Sequence, residues 1–375
     1  MLFRLDKKVK ILYTIGVNNL QYQDVIIMQE PIKNGTTRNR VLYFDVMNVL
    51  ACIAVVILHH NTAVHSFSNG RGWVLSLMME CTFYWAVPIF LMVSGSNLLG
   101  YHKKYGLKTF FQKRFVRTFI PWLIWSLVLL IWKLKTKQIV PENPSFTYYF
   151  NLVFQNKVNQ QYWFFASLFS CYLLLPILTY LTEHRQVMWY SLLIIILYYS
   201  VQPMLWLFQP LRQNIFQFYS DGMILYFILG WLLNNTELNK KQRLIIYLLG
   251  IAGLVFRFVY TYTMSMEAQV TDTSIKGYRF LHAVTYSAAI FVFLKQVNWE
   301  KLLPQWLKKL LPKLASYSFG VYLLHSIVMY YEKNLLHLKN SDLAFKTICI
   351  PLTYVISIAI VALLKKIPVI KKYIC

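Results

Sequence analysis

The chain has 375 residues, of which 57% are hydrophobic and only 14% are charged, and its formal net charge is +24. Soluble domains average about 45–50% apolar and roughly 25% charged residues, so this composition excludes an ordinary soluble protein. The five cysteines show neither CxxC pairing nor zinc spacing, and nothing in their pattern indicates disulfides or a metal site.

Long apolar runs dominate the chain. Apolar runs of about 18–20 residues recur along the chain, long enough to cross a hydrocarbon core of about 30 Å, although the third predicted span is short. Lipid offers backbone groups no hydrogen-bond partner, which favours helices that satisfy their own polar groups. The sequence therefore predicts an all-α, polytopic transmembrane helical bundle of about ten spans. The predicted limits are 42–61, 73–99, 118–132, 162–181, 187–207, 219–233, 244–262, 278–294, 315–331 and 343–364.

The distribution of Lys and Arg sets the predicted orientation. Of the 38 basic residues, 26 fall in the termini and in the loops on the same side as the termini, whereas nine fall in the opposite loops. Positive charge accumulates on the cytoplasmic side, so both termini are predicted to be cytoplasmic. The basic charge then faces anionic lipid, and no nucleic-acid partner is expected. We expect a multi-pass cell-membrane protein, in a bacterial plasma membrane.

Two regions are predicted from the pattern as a whole. Residues 1–40 form a cytoplasmic N-terminal segment with no signal-peptide pattern, expected to be partly disordered, within which Met28 is a possible true start. Residues 41–375 form a single membrane domain without internal repeats or a separate soluble domain.

The first span carries a polar stripe along one helical face. Asp45, Asn48, Cys52 and His59 share this stripe, and His59 lies about 16 Å further toward the outside than Asn48. His60 points about 100° away and His65 lies beyond the span, so both are predicted to be interface residues. The histidines lack the i,i+4 spacing of paired metal ligands. For His59, catalysis and a core hydrogen bond both stay open.

The later spans add further polar candidates. Glu80 lies about two turns inside the second span, near the predicted depth of His59, where a carboxylate can raise the basicity of a histidine. Its alternative is a structural pair with a basic or hydroxyl group. Four more polar residues lie near the predicted outer ends of later spans. They either line a polar cavity open to the outside or extend along the interface to water. These residues are Asp221, Arg257, Arg279 and His282.

Two shorter motifs lie just before and within the predicted loop 100–117. "SG" at Ser94–Gly95 lacks the flanking residues of a nucleophile elbow and instead favours close helix packing. In "KTFFQKRFVRTFIPW", Lys113, Arg114 and Arg117 precede the third span. Such a cluster binds phosphates in some proteins and simply marks the cytoplasmic side in others.

Six segments in order resemble the acyltransferase family 3 membrane proteins, which include O-acetyltransferases of cell-surface sugars. The first is "YFDVMNVLACIAVVILHH", similar to the D-x-x-R/K-x10-H pattern of the first helix of that family. The others are "VPIFLMVSGSNLL", "FFQKRFVRTFIPWLIWS", "QYWFFASLFSCYLLLPIL", "ILYFILGWLL" and "LASYSFGVYLLH". The resemblance runs from about Tyr43 to Leu364.

The resemblance implies a membrane enzyme that transfers an acyl group, usually acetyl, from cytoplasmic acyl-CoA. The acceptor is a hydroxyl of a cell-surface glycan or glycolipid at the outer face. His59 matches the first-helix histidine, a general base or acyl carrier, and Glu80 is its expected partner. The expected acyl-CoA contacts are Asn48, Arg114, Arg117 and Trp163; Asn48 replaces the usual cation and cannot pair with phosphate. The alternatives are an exporter or flippase of a polysaccharide or small carboxylate, and a non-catalytic membrane module.

Overall fold

The computed structural model describes residues 41–141, 144–205, 222–368 and 370. The N-terminal segment with Met28, and also Asp221 and Cys375, lie outside the described residues. Within the described ranges the chain is helical and contains no strand, which confirms the predicted all-α class.

The first half of the bundle begins with a helix that matches the first predicted span closely. Its helices are α1 (Leu42–His60), α2 (Arg71–Phe83), α3 (Ala86–Leu98), α4 (Leu107–Arg114), α5 (Ile120–Lys135), α6 (Phe146–Phe154), α7 (Trp163–Leu181), α8 (Arg185–Ile196) and α9 (Gln202–Leu205). Five residues between α4 and α5, Phe115–Phe119, and five between α8 and α9, Leu197–Val201, are wound as π-helices.

The second half contains the two longest helices. Its helices are α10 (Ile224–Asn234), α11 (Lys240–Ala268), α12 (Leu281–Gln296), α13 (Trp299–Leu302), α14 (Gln305–Leu335), α15 (Leu343–Thr347) and α16 (Cys349–Leu364). Asn239 caps α11 through a reciprocal pair of hydrogen bonds with Gln242, which satisfies backbone donors that the first turn leaves free.

Six of the described helices or continuous helical segments are long and apolar enough to cross a membrane, and α10 and α16 are shorter apolar helices. The second predicted span is divided between α2 and α3, which meet at Tyr84 and Trp85. The third is longer than predicted, because α4, the π-helix and α5 run continuously from Leu107 to Lys135. The number of ten spans and the cytoplasmic placement of the termini stay predictions.

Glycines bring the backbones of α3 and α10 into close contact. A Cβ atom on Gly95 would lie 2.1 Å from the carbonyl oxygen of Phe227, and one on Gly230 would lie 2.2 Å from that of Met92. Helices in lipid associate through such small residues, because apolar side chains alone gain little by leaving lipid for protein. The predicted packing role of the Ser94–Gly95 pair is therefore confirmed.

The same device holds the helices that surround the polar core. Gly253 on α11 approaches the backbone of His282 on α12, and Gly320 on α14 fits against the side chain of Val361 on α16. α14 also packs along α1, and α1 packs against α3. The polar stripe of α1 thus faces other helices rather than lipid.

Replacing Gly95 with alanine is expected to destabilise the bundle, because the added methyl group meets immovable backbone atoms of α10. Overpacking of this kind costs about 1–3 kcal/mol in the free energy of unfolding. The measurement is thermal unfolding of the purified protein in detergent. Gly100→Ala is the matched control, since nothing lies within 4 Å of its added methyl group. Equal melting temperatures for the two variants would contradict the close α3–α10 contact.

Candidate functional site

The polar stripe of α1 is hydrogen-bonded to α14 in the N-terminal half of α1. Ser318 on α14 donates through its hydroxyl to the backbone carbonyl of Asn48 at 3.4 Å, and its own carbonyl accepts from the Cys52 thiol at 3.7 Å. Asp45 at the start of the stripe is buried, and Asn48 is partly buried. These contacts fix the rotation of α1 about its axis, which determines the direction in which the residues at its C-terminal end face.

Near the C-terminal end of α1, the side chain of His59 lies beside that of His325 on α14. The two imidazole rings lie with centroids 5.1 Å apart and planes tilted by 32°. His59 keeps part of its surface exposed, whereas His325 is fully buried. The structure thus places a second imidazole beside the predicted catalytic histidine.

The backbone fixes the tautomer of His325. Its Nδ1 lies 3.1 Å from the carbonyl oxygen of Val321 and 2.8 Å from that of Tyr322. Carbonyl oxygens only accept, so Nδ1 carries the proton and donates to them. The opposite nitrogen, Nε2, is buried and has no hydrogen-bond partner among the described residues. A lone pair in this setting is suited to accept a hydrogen bond.

His60 is not an interface residue, and the prediction for it is wrong. It is 0% exposed, and its Nδ1 lies 2.9 Å from the carbonyl oxygen of Val56 one turn earlier. Its Nε2 lies 3.1 Å from the hydroxyl of Thr353 on α16, which in turn bonds to the carboxyl group of Glu332 on α14. The error arose because the phase of one helix does not reveal how many neighbours surround it.

Glu80 pairs with Arg257, which is the structural alternative considered for it. The two side chains lie 3.9 Å apart at Oε1 and NH2, and the guanidinium carbon of Arg257 stands 3.3 Å from the centre of the Tyr84 ring. Both residues are buried. The expected pairing of Glu80 with His59 is not among the described contacts, and the ring next to His59 belongs to His325.

Trp163 belongs to an aromatic stack that leads to this ion pair. Its ring stacks on Tyr278 with centroids 5.5 Å apart, and Tyr278 stacks on Tyr84 at 4.1 Å. The hydroxyl of Tyr84 donates to the backbone carbonyl of Lys276. Trp163 therefore lies with the residues of the predicted outer end.

Two cavities meet at Arg257 near the predicted outer end. One also reaches His282, and the other reaches His65 and Lys276. The predicted polar cavity thus includes Arg257 and His282, which are both buried and do not snorkel, while Arg279 is exposed. Of the two interpretations, snorkelling is therefore wrong for Arg257 and His282.

The loop side of the larger cavity holds two basic groups close together. The Lys276 ammonium lies 3.1 Å from Nε2 of His65. Burial lowers the pKa of Lys276, with Arg257 acting in the same direction and Glu80 opposing it. Burial and the neighbouring Lys276 likewise lower the pKa of His65. The cavity therefore disfavours additional positive charge.

The opposite end of the bundle carries the basic cluster predicted from sequence. Arg114 ends α4 with its guanidinium carbon 5.6 Å from the centre of the Tyr172 ring, and Arg117 lies in the π-helix that follows. Nε of Arg114 is buried and has no hydrogen-bond partner within the described ranges. Trp163 precedes Tyr172 on α7 by nine residues, about 14 Å of helix. The structure therefore brings Arg114 and Arg117 together and separates them from Trp163.

Sequence reasoning missed three partners of the histidine site: His325, Glu332 and Thr353. A signal for two of them existed in α14, because Ser318, His325 and Glu332 recur every seven residues and so share one helical face. Within the described residues, no three His, Cys, Asp or Glu side chains come together as a metal site would require.

These features define a multi-pass, all-helical membrane protein with a buried histidine site near one end and a basic cluster near the other. The chain belongs to acyltransferase family 3, because the model of that family, described as an acyltransferase domain, matches residues 41–364. It is accordingly an acyltransferase-type membrane protein. Comparisons with curated proteins and with solved structures found no match.

Arg257→Ala is expected to lower the free energy of unfolding by about 3–5 kcal/mol, because it leaves the buried Glu80 carboxylate without its ion partner. Unfolding in detergent measures the loss, and Arg71→Ala, at an exposed position, serves as the control. Adding Glu80→Gln to Arg257→Ala should restore part of the stability. A double variant no more stable than Arg257→Ala would show that the charge pair is not the cause.

Proposed function

We propose that this protein transfers an acetyl group from cytoplasmic acetyl-CoA to a hydroxyl of a cell-surface glycan or glycolipid. The observation that carries the proposal is the His59–His325 pair, with one ring partly exposed and the other buried in a fixed tautomer. Family membership supports the reaction class, and the acetyl group, the donor and the acceptor are part of the proposal.

On the donor side we assign the phosphates of acetyl-CoA to the cluster around Arg114 and Arg117. The cluster lies at the end of the bundle predicted to face the cytoplasm, where a polyanionic donor is found. A guanidinium binds phosphate through charge-assisted, often bidentate hydrogen bonds. Asn48 lies eleven residues before His59 on α1, toward the end predicted to be cytoplasmic, and its amide is suited to bond an amide or carbonyl of the pantetheine arm.

On the acceptor side we assign base catalysis to His59. An acceptor hydroxyl gives its proton to the His59 imidazole as its oxygen attacks the thioester carbonyl carbon. The carbon–sulfur bond then breaks, and the CoA thiolate takes that proton from the His59 imidazolium as it leaves, which returns His59 to its neutral form. Nε2 of His325 accepts a hydrogen bond from the His59 imidazolium, which stabilises the charge that forms. Glu80 is assigned to the outer cluster with Arg257 rather than to this step.

His59→Ala is expected to abolish acetyl transfer while the protein stays inserted, and His325→Ala is expected to reduce transfer strongly. Base catalysis contributes about 10²–10⁴-fold, so both losses should be large. Mass spectrometry of cell-surface glycans measures the acetyl increment in cells that lack the gene, complemented with each variant. His184→Ala, at an exposed histidine, is the control.

Two outcomes would contradict the proposal. A full acetyl increment in cells with His59→Ala would show that His59 is not the catalytic base. Unchanged modification in cells without the gene, with glycan precursor retained inside, would favour export instead.

The combined variant Arg114→Ala and Arg117→Ala is expected to raise the Michaelis constant for acetyl-CoA by about tenfold or more and to change kcat less. Each lost charged hydrogen bond is worth about 1.5–3 kcal/mol. Steady-state kinetics of the protein in lipid nanodiscs measures both constants, and Lys108→Ala, an exposed lysine of the same segment, is the control. An unchanged Michaelis constant for acetyl-CoA would indicate that the cluster only marks the cytoplasmic side of the protein.

A further inference from the structure

A threonine hydroxyl links the second histidine of α1 to a buried carboxyl group. The Thr353 oxygen lies 3.1 Å from Nε2 of His60 and forms a hydrogen bond with Oε2 of Glu332. The exposed fractions are 0% for His60, 0% for Thr353 and 6% for Glu332, and the ring of Phe345 covers His60 with centroids 4.7 Å apart. These three residues, from three different helices, are called the His60 chain below.

Counting hydrogens shows that the His60 chain holds a shared proton. Nδ1 of His60 donates to the Val56 carbonyl, so one imidazole proton is placed there. Two more protons are needed, one between Nε2 and the Thr353 oxygen and one between that oxygen and Glu332. A threonine hydroxyl has only one hydrogen, so it cannot donate in both directions. The third proton must come from an imidazolium or from a carboxylic acid.

Both arrangements that close the chain have zero net charge. In one, the His60 imidazolium donates to Thr353 and Thr353 donates to the Glu332 carboxylate. In the other, the Glu332 acid donates to Thr353 and Thr353 donates to neutral His60. A carboxylate beside a neutral imidazole would instead leave two lone pairs facing each other and an unbalanced buried charge, which is costly in a membrane interior.

We propose that the His60 chain is a proton relay that adjusts the charge next to the catalytic pair, with Thr353 and Glu332 as positioning residues that act through His60. The inference rests on the proposed function of His59. His60 is the sequence neighbour of His59, so two imidazolium rings at these positions would repel each other in a low-dielectric site.

The relay step conserves protons and charge. As His59 takes the acceptor proton, Nε2 of His60 releases its proton to the Thr353 oxygen, and the Thr353 hydroxyl passes its own proton to Oε2 of Glu332. His60 becomes neutral while His59 becomes positive, and the chain keeps zero net charge. The reverse shift follows when His59 loses its proton. The titratable groups nearest the chain are His59, His325 and Cys349.

Two variants fix His60 in opposite charge states. In Glu332→Gln, the amide donates to Thr353 and Thr353 donates to His60, so His60 stays neutral, which is the state the relay reaches when His59 becomes positive. We expect kcat for acetyl transfer and the Michaelis constant for acetyl-CoA within about twofold of wild type. Thr353→Val removes the proton path and leaves the His60 imidazolium facing the Glu332 carboxylate, 3.9 Å away, so kcat should fall about tenfold or more. Thr353→Ser, which keeps the hydroxyl, should restore kcat.

Ser357→Ala is the matched control, because Ser357 is a buried hydroxyl residue one turn further along α16. Its kcat should equal that of wild type. Wild-type kcat in Thr353→Val, a tenfold loss in Glu332→Gln, or failure of Thr353→Ser to exceed Thr353→Val would overturn the relay.

A measurement independent of acetyl transfer separates this inference from the proposed function. Infrared difference spectra against Glu332→Gln report the protonation of Glu332, and ¹⁵N-histidine NMR against His60→Gln reports that of His60. We expect a Glu332 carboxylate with a His60 imidazolium in the resting protein, which is the state from which the relay starts. A neutral His60 beside either form of Glu332 would overturn the relay, whatever reaction the protein catalyses.

Discussion

A polar side chain inside a bilayer has only the neighbouring helices to bond with, and α1 carries polar side chains along its whole length. Ser318 of α14 bonds to α1 at Asn48 and Cys52, and Thr353 of α16 bonds to it at His60. These bonds leave α1 little freedom to rotate. The arrangement of the histidine site depends on this constraint, since the position of His59 against His325 follows from the rotation of α1.

The two ends of the bundle hold opposite kinds of environment. Around Arg114 the cations stand over aromatic rings, with a guanidinium nitrogen buried and no hydrogen-bond partner for it in the described part of the chain. Around Arg257 the cation is paired with Glu80 and stacked on Tyr84. Both guanidinium groups lie over aromatic rings and have a buried nitrogen without a partner among the described residues, but a carboxylate lies beside that of Arg257. A guanidinium already paired with a carboxylate is less suited to attract phosphate, which supports the proposed placement of the donor phosphates at the Arg114 end.

The fold class could be predicted from sequence, because long apolar segments in lipid must satisfy their own backbone hydrogen bonds, and helices do so. The choice of His59 from three nearby histidines came from helical phase together with family resemblance. Its partner did not, because Glu80 and His325 are equally compatible with the depth of His59, and only packing decides between them. His60 shows the same limit, since one helix cannot reveal that α14 and α16 both cover its far face.

The π-helix between α4 and α5 has a consequence for how the two ends of this long segment can vary. A π-turn holds an extra residue, so it changes the rotational phase between the helical pieces on either side without breaking the rod. The gain or loss of a single residue there would swing the guanidinium of Arg114 by about 100° relative to α5. The face that α5 presents to the bundle, with Trp125 and Leu129 buried, would stay in place. The direction of the Arg114 side chain can therefore change through small length changes in one turn, while the histidine pair remains undisturbed.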